Sequence, residues 1–183
     1  MLGFQDECGW TRLAQPDLFA GTAADPLRLA GNARDPKGGG PEAGAGSGVL
    51  RPDTGGRMLR FGAGRPVRAT TEEFLGWVCG RRAAEGKKVF VRVGDNAAWH
   101  VSQRVRAWIE AHNRRVRRAG GCRIRVGGLP VKAPWRNALE PTWVHGKRAV
   151  VEPNRKRTAE ELRQRVCDYF GCPHEPPLPK PVA

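Results

Sequence analysis

At 183 residues the chain can bury the core of one domain, although 39% apolar residues beside 24 Gly and 15 Pro imply that part of it is irregular. Its formal charge of +14 and pI near 10.7 point to a polyanionic partner, nucleic acid first. No apolar run approaches membrane-spanning length, and the N-terminus carries Asp6 and Glu7 without a basic or apolar leader region, which excludes membrane and secreted classes from the reading.

Leu2-Gly3-Phe4-Gln5 reads as a half-length strand that ends in Asp6-Glu7. Residues 9–37 show no sustained period: Arg12 to Pro16 reads as extended loop, and Leu27-Arg28-Leu29 as at most a short strand. Six of the eleven residues from Gly38 to Gly48 are Gly, so residues 37–56 are expected to be irregular. Within that span Val49-Leu50, the turn Asp53-Thr54-Gly55-Gly56 and Arg57 to Phe61 form a hairpin pattern.

Thr70 with Glu73 is a capping box that opens a helix burying Phe74, Trp77 and Val78 and ending at Gly86. Val89 to Val93 is the expected central strand, with Asp95-Asn96 at its end. By themselves these two residues also suit a plain turn before a helix. The next helix has the clearest period, with Val101, Val105, Trp108, Ile109, His112 and Val116 on one face and Arg104, Arg106, Arg114, Arg115, Arg117 and Arg118 on the rest.

Cys122 to Val126 alternates as a strand, a Pro-containing loop follows to Asn137, and a helix starts near Ala138. A second capping box, Thr158 with Glu161, opens a helix burying Leu162, Val166, Tyr169 and Phe170. The Pro-rich tail, residues 173–183, is expected to be extended or disordered. Five scattered cysteines without a CxxC read as reduced thiols, with Cys79 and Cys167 on buried helix faces. Cys167, Cys172 and His174 lie close in sequence, but the sequence offers zinc no fourth ligand. The order of elements makes an α/β fold, a mixed sheet flanked by helices.

Three carboxylates fall at element ends: Asp6 after the first strand, Asp95 after the central strand, and Glu140 at a helix start. Adjacent strand ends lie about 5 Å apart, so Asp6 and Asp95 could share a cation if their strands are neighbours. Carboxylates crowded together without a base imply a divalent ion. Two such ions bridged by one Asp suit in-line attack on a phosphodiester.

Gly94 to His100, with Asp95-Asn96 and His100, resembles the DNxxxH block of the mariner-like DDE transposases. Leu129 to Trp143, which holds Asn137, Glu140 and Trp143, is similar to their LPxxSPxLNPIExxW block, and Phe4-Gln5-Asp6-Glu7 to the segment carrying their first catalytic Asp. Trp143 to Glu152 resembles one bacterial insertion-sequence branch of the superfamily. Ala133, Arg136 and Ala138 depart from the family's Ser, Leu and Pro, and Arg92 and Gly94 interrupt a strand expected to be fully buried.

The resemblance implies an RNase H-like catalytic domain over residues 1–172. It implies metal-dependent cleavage of DNA at insertion-sequence ends and strand transfer into target DNA. Asp6, Asp95 and Glu140 would hold two Mg²⁺ or Mn²⁺ ions, with Asn96, His100 and Asn137 orienting them. Arg104, Arg114, Arg115, Arg117, Arg118, Lys147 and Arg148 would meet DNA phosphates. Trp99, Trp135 and Trp143 read as core or loop anchors rather than base-stacking platforms.

Full-length relatives carry helix-turn-helix segments before the catalytic domain, so the chain reads as truncated at its N-terminus. A homodimer or a separately encoded helix-turn-helix portion would complete it, in the bacterial cytoplasm at the nucleoid. The alternative reading is a catalytically inactive, basic DNA-binding remnant of a decayed or split transposase. A third is an interaction protein whose basic helix meets RNA or a partner.

Overall fold

The computed structural model describes residues 1–11, 18–19, 27–28, 42–62, 68–95, 102–130, 136–151 and 157–179. Its core is a five-stranded mixed sheet. The sheet is built from β1 (Leu2–Thr11), β4 (Glu42–Leu50), β5 (Arg57–Gly62), β6 (Val89–Gly94) and β7 (Arg123–Gly128), in the order β5-β4-β1-β6-β7. The first three run antiparallel to their neighbours, and β1, β6 and β7 run parallel. Two short strands, β2 (Leu18–Phe19) and β3 (Leu27–Arg28), pair separately. The helices are α1 (Arg68–Ala84), α2 (Gln103–Ala119), α3 (Glu140–Val150) and α4 (Ala159–Phe170). The expected α/β class, a mixed sheet flanked by helices, is the one observed.

Each face of the sheet has its own core. Phe74, Leu75 and Val78 of α1 and Val105 and Ile109 of α2 pack with Val49, Phe90 and Ile124 on one face. On the other, Leu139, Trp143, Leu162, Val166 and Phe170 pack with Cys8, Trp10, Leu59 and Phe61. Alternation along β1 divides its side chains between the two: Cys8 and Trp10 point to the α3–α4 face, and Asp6 shares their parity.

Four expectations need correction. β1 does not stop at Gln5; it is ten residues long, so Asp6 sits inside the strand rather than at its end. Antiparallel pairing of Phe4–Thr11 with β4 supplies ladder bonds that local sequence does not reveal. That pairing also overturns the irregular reading of residues 42–50, which form β4. A Cβ on Gly48 would lie 2.6 Å from Trp143 Cη2, and one on Gly46 2.9 Å from Trp10 Nε1. The glycines leave room for the two indoles that press against that strand. Third, β1 and not β6 is the central strand. Fourth, of the two readings of the tail, disorder does not hold over residues 173–179. Leu178 is buried, its N–H donates to Phe61 O (2.6 Å), and it bridges Gly62 at the edge of β5.

Smaller shifts follow. α1 begins at Arg68, so Thr70 lies inside the helix as a buried residue rather than a cap. Tyr169 is exposed, because Phe170 takes the core position beside it. The other capping box is complete: Thr158 Oγ accepts from Glu161 N (3.1 Å), and Glu161 Oε2 accepts from Thr158 N (2.7 Å). On α2, Val105, Ile109, His112 and Val116 are buried as expected, whereas Val101 lies outside the described residues. All five cysteines are buried free thiols. Among the described residues no helix is long and apolar enough to cross a membrane.

Candidate metal and nucleic-acid site

The parallel pairing of β1 with β6 aligns Leu2 with Val91, Gly3 with Arg92 and Phe4 with Val93. Asp6 lies two residues past the last of these pairs, on the face of Cys8 and Trp10, and Asp95 follows the end of β6, so the two acids belong to neighbouring chain segments. The face is the one α3 covers, since Trp143 of α3 reaches Asp6 directly: its Nε1 donates to Asp6 Oδ2 at 2.9 Å. One carboxylate oxygen is thereby fixed, which orients the other. Sequence reasoning cast Trp143 only as an anchor. The cue it missed is an indole at the first turn of the helix that Glu140 begins, because a buried Trp N–H seeks an acceptor.

Glu140 is the first residue of α3, followed by Pro141 at a position where a missing N–H costs nothing. Asn137 docks the start of this helix onto β1. Its Nδ2 donates to Gln5 O (3.1 Å), the carbonyl just before Asp6, and its Oδ1 accepts from Leu139 N (3.1 Å). The Glu140 N–H in turn donates to Asn137 O at 3.1 Å. At 1% exposure, this amide ties the start of α3 to β1 next to Asp6.

The electrostatics record the crowding. Asp6 is 7% exposed, and its carboxyl is pushed up from 3.8 to about 7, chiefly by burial and next by the Glu140 charge. Hydrogen bonds from the Glu7 backbone and from Trp143 pull the other way and do not compensate. Burial also raises the Cys8 thiol, and the Lys147 ammonium beside it opposes that shift. Lys147, expected on a phosphate-binding face, therefore stands close to the acids of the site.

Asp95 follows the last residue of β6 and is half-buried. Asn96 and His100, expected to orient the site, lie outside the described residues, as do Trp99 and Trp135. Among the described residues, no three Asp, Glu, His or Cys side chains form a ready-made cage for one ion. Asp6 and Glu140 are near enough to repel, and Asp95 follows the end of the neighbouring strand. An oxygen-only set with an up-shifted carboxyl fits a hard divalent cation, which would favour the ionised form that burial disfavours.

The expected phosphate contacts fall in two places. Arg104, Arg114, Arg115, Arg117 and Arg118 are exposed on α2. Arg104 pairs with Glu72 (3.0 Å), Arg114 lies 3.8 Å from Glu110, and Arg115 is 3.3 Å from His112 Nδ1. Lys147 and Arg148 belong to the last turn of α3, on the Asp6 side of the sheet.

No family model matches the chain, and no curated protein matches it in sequence. Solved structures do match in fold. A Mos1 transposase paired-end complex with left transposon end superposes with a TM-score of 0.56 at 16% identity, over 94% of this chain and 48% of that one. The Mos1 strand transfer complex gives a TM-score of 0.52 at the same identity and coverage. The chain thus has the fold of a mariner-like, RNase H-like transposase domain and spans about half the length of these structures.

Proposed function

We propose that this chain is the catalytic portion of a DDE-type transposase of an insertion sequence, which cuts DNA at element ends and joins it to target DNA. The observation that carries this reading is the buried Asp6 carboxyl, held by Trp143 and pushed up to about 7 by burial and next by the Glu140 charge, on the strand beside the one that ends just before Asp95. Asp6, Asp95 and Glu140 would hold Mg²⁺ or Mn²⁺. When bound, the metal supplies an activated nucleophile and charge stabilisation at the leaving oxygen.

The chain's own groups prepare that site. Trp143 holds one oxygen of Asp6 and aims the other, and Asn137 fixes the origin of α3. Asp6 must be ionised to bind a cation, and Lys147 beside Cys8 adds a positive charge near the acids. DNA as partner is supported by the +14 charge and by the DNA-bound state of the Mos1 structures that share the fold. A homodimer or a separate helix-turn-helix portion would supply sequence recognition.

The test is relaxation of supercoiled plasmid with Mn²⁺ at neutral pH. Nicking is expected, and Asp95→Ala, Asp6→Ala or Glu140→Ala should each reduce it by a hundredfold or more, on the order expected for loss of a charge-stabilising group. DNA binding without any cutting would replace this reading with that of an inactive DNA-binding remnant.

A further inference from the structure

Behind the carboxylates, on the α1–α2 face of the sheet, lies a cation that the proposed chemistry does not use. Arg92 is 2% exposed and shares strand parity with Phe90 and Gly94, opposite to that of Asp95. Its Nε donates to Gln5 Oε1, and Gln5 Nε2 donates to Glu7 Oε1 (2.7 Å), which also takes the Thr71 hydroxyl of α1 at 3.5 Å. A neutral amide thus bridges a buried guanidinium and a carboxylate. Both ends of the bridge lie on β1 and β6, the two strands that bear Asp6 and Asp95.

Two further details show that the pocket is shaped for this cation. A Cβ on Gly94 would fall 2.9 Å from Arg92 Nη2 and 3.3 Å from Gln5 O, so the strand needs glycine there for the guanidinium to pass. Arg92 Nη2, although buried, has no hydrogen-bond partner among the described residues. A guanidinium whose donors are incompletely matched is costly to bury, so hydrogen bonding alone does not account for it. What remains is charge. Burial lowers the Arg92 pKa, and the nearby Glu7, Asp95 and Asp6 oppose that shift in that order. A methionine or leucine, the expected occupant of a buried strand position, would leave Gln5 and Glu7 without this cation.

We propose that Arg92 is the built-in counter-cation of the acids on β1 and at the end of β6: through Gln5 it ties β6 to β1 and holds a positive charge near Glu7, Asp95 and Asp6 before any metal is present. Arg92 is a positioning residue in this role. The inference rests on the metal-site reading for what the cluster is for, but not for the pairing itself.

A double-mutant cycle on the full chain, in chelator at about pH 8, tests the pairing. Arg92→Met should lower the Tm, and Arg92→Lys should keep most of it. Adding Asp95→Asn or Glu7→Gln to Arg92→Met should recover roughly half the loss or more, although each acid variant alone gains little. If Arg92→Met fails to fold, refolding of Arg92→Met/Asp95→Asn is the same rescue in stronger form. Purely additive losses, or a double variant that stays unfolded, would overturn the proposal. A parallel melt of the parent chain with Mn²⁺ judges the other reading: no upward shift would remove the metal site and leave the cycle to decide on Arg92.

Discussion

The Asp6 carboxyl has conflicting demands, and they make its protonation state a reporter of the site. Burial and the Glu140 charge raise it to about 7, whereas an unfolded chain holds it near 3.8. Between those values the folded chain binds the extra proton, so the stability Asp6 contributes is complete below about pH 4 and falls as pH rises through about 7. The expected size is on the order of a few kcal/mol. Denaturant midpoints should therefore decline from about pH 5 to pH 8, and Asp6→Asn should flatten the decline. Mn²⁺ should restore the loss at the upper end, since a bound cation stabilises the ionised carboxylate. An unchanged slope in Asp6→Asn would mean that another group controls it. Trp143→Phe keeps the aromatic packing but removes the N–H to Oδ2, which should push the carboxyl up further and steepen the same decline.

At the scale of elements, β4 decides how closely α3 can approach the sheet. Gly48→Ala would set a methyl 2.6 Å from the Trp143 ring, which cannot retreat without leaving Asp6 and its edge-on contact with Phe170 (5.3 Å between centroids). Overpacking of this kind costs about 1–3 kcal/mol. Gly80→Ala, on exposed α1 with nothing within 4 Å, should instead stabilise by about 0.5–1 kcal/mol through helix propensity. Thermal melts of the two variants should move in opposite directions, and equal effects would mean that the glycines of β4 are not there for the indoles.

This contrast explains which parts of the fold could be read from the sequence. α2 was legible because Val105, Ile109, His112 and Val116 repeat at helical spacing, and α4 because its capping box is local. Asp95 and Glu140 stood out as acids beside a strand end and a helix start, whereas Asp6 drew notice only because β1 was read as ending there. β4 was not legible, because the residues that require its glycines, Trp10 and Trp143, lie far away in sequence. The full length of β1 was hidden for the same reason: the partner that extends it, β4, reads locally as linker. The tail was missed because its order comes from α1 and β5. Glu175 takes Arg60 (2.6 Å), Trp77 (3.2 Å) and Arg81, and Leu178 fills the core beneath.

For the molecule as a whole, the charge surplus matters less than which arginines are free to release a counterion from a phosphate. Arg104 already pairs with Glu72 and Arg114 leans toward Glu110, so part of their charge is spoken for within the chain. Arg117 and Arg118 end α2, exposed and without an acidic partner among the described residues. Non-specific DNA affinity should therefore fall steeply with salt, with a slope set by such unpaired cations, about 0.9 per phosphate neutralised on a duplex. The Arg117→Gln/Arg118→Gln pair should reduce that slope by nearly 2, whereas Arg104→Gln, which also frees Glu72 to repel the backbone, should weaken binding with a slope change nearer 1. Fluorescence anisotropy of a labelled duplex across a salt series reads both quantities. If the double variant binds with the parent's slope, DNA does not run along the end of α2, and the contacts must come from Lys147 and Arg148 on the side of the carboxylates.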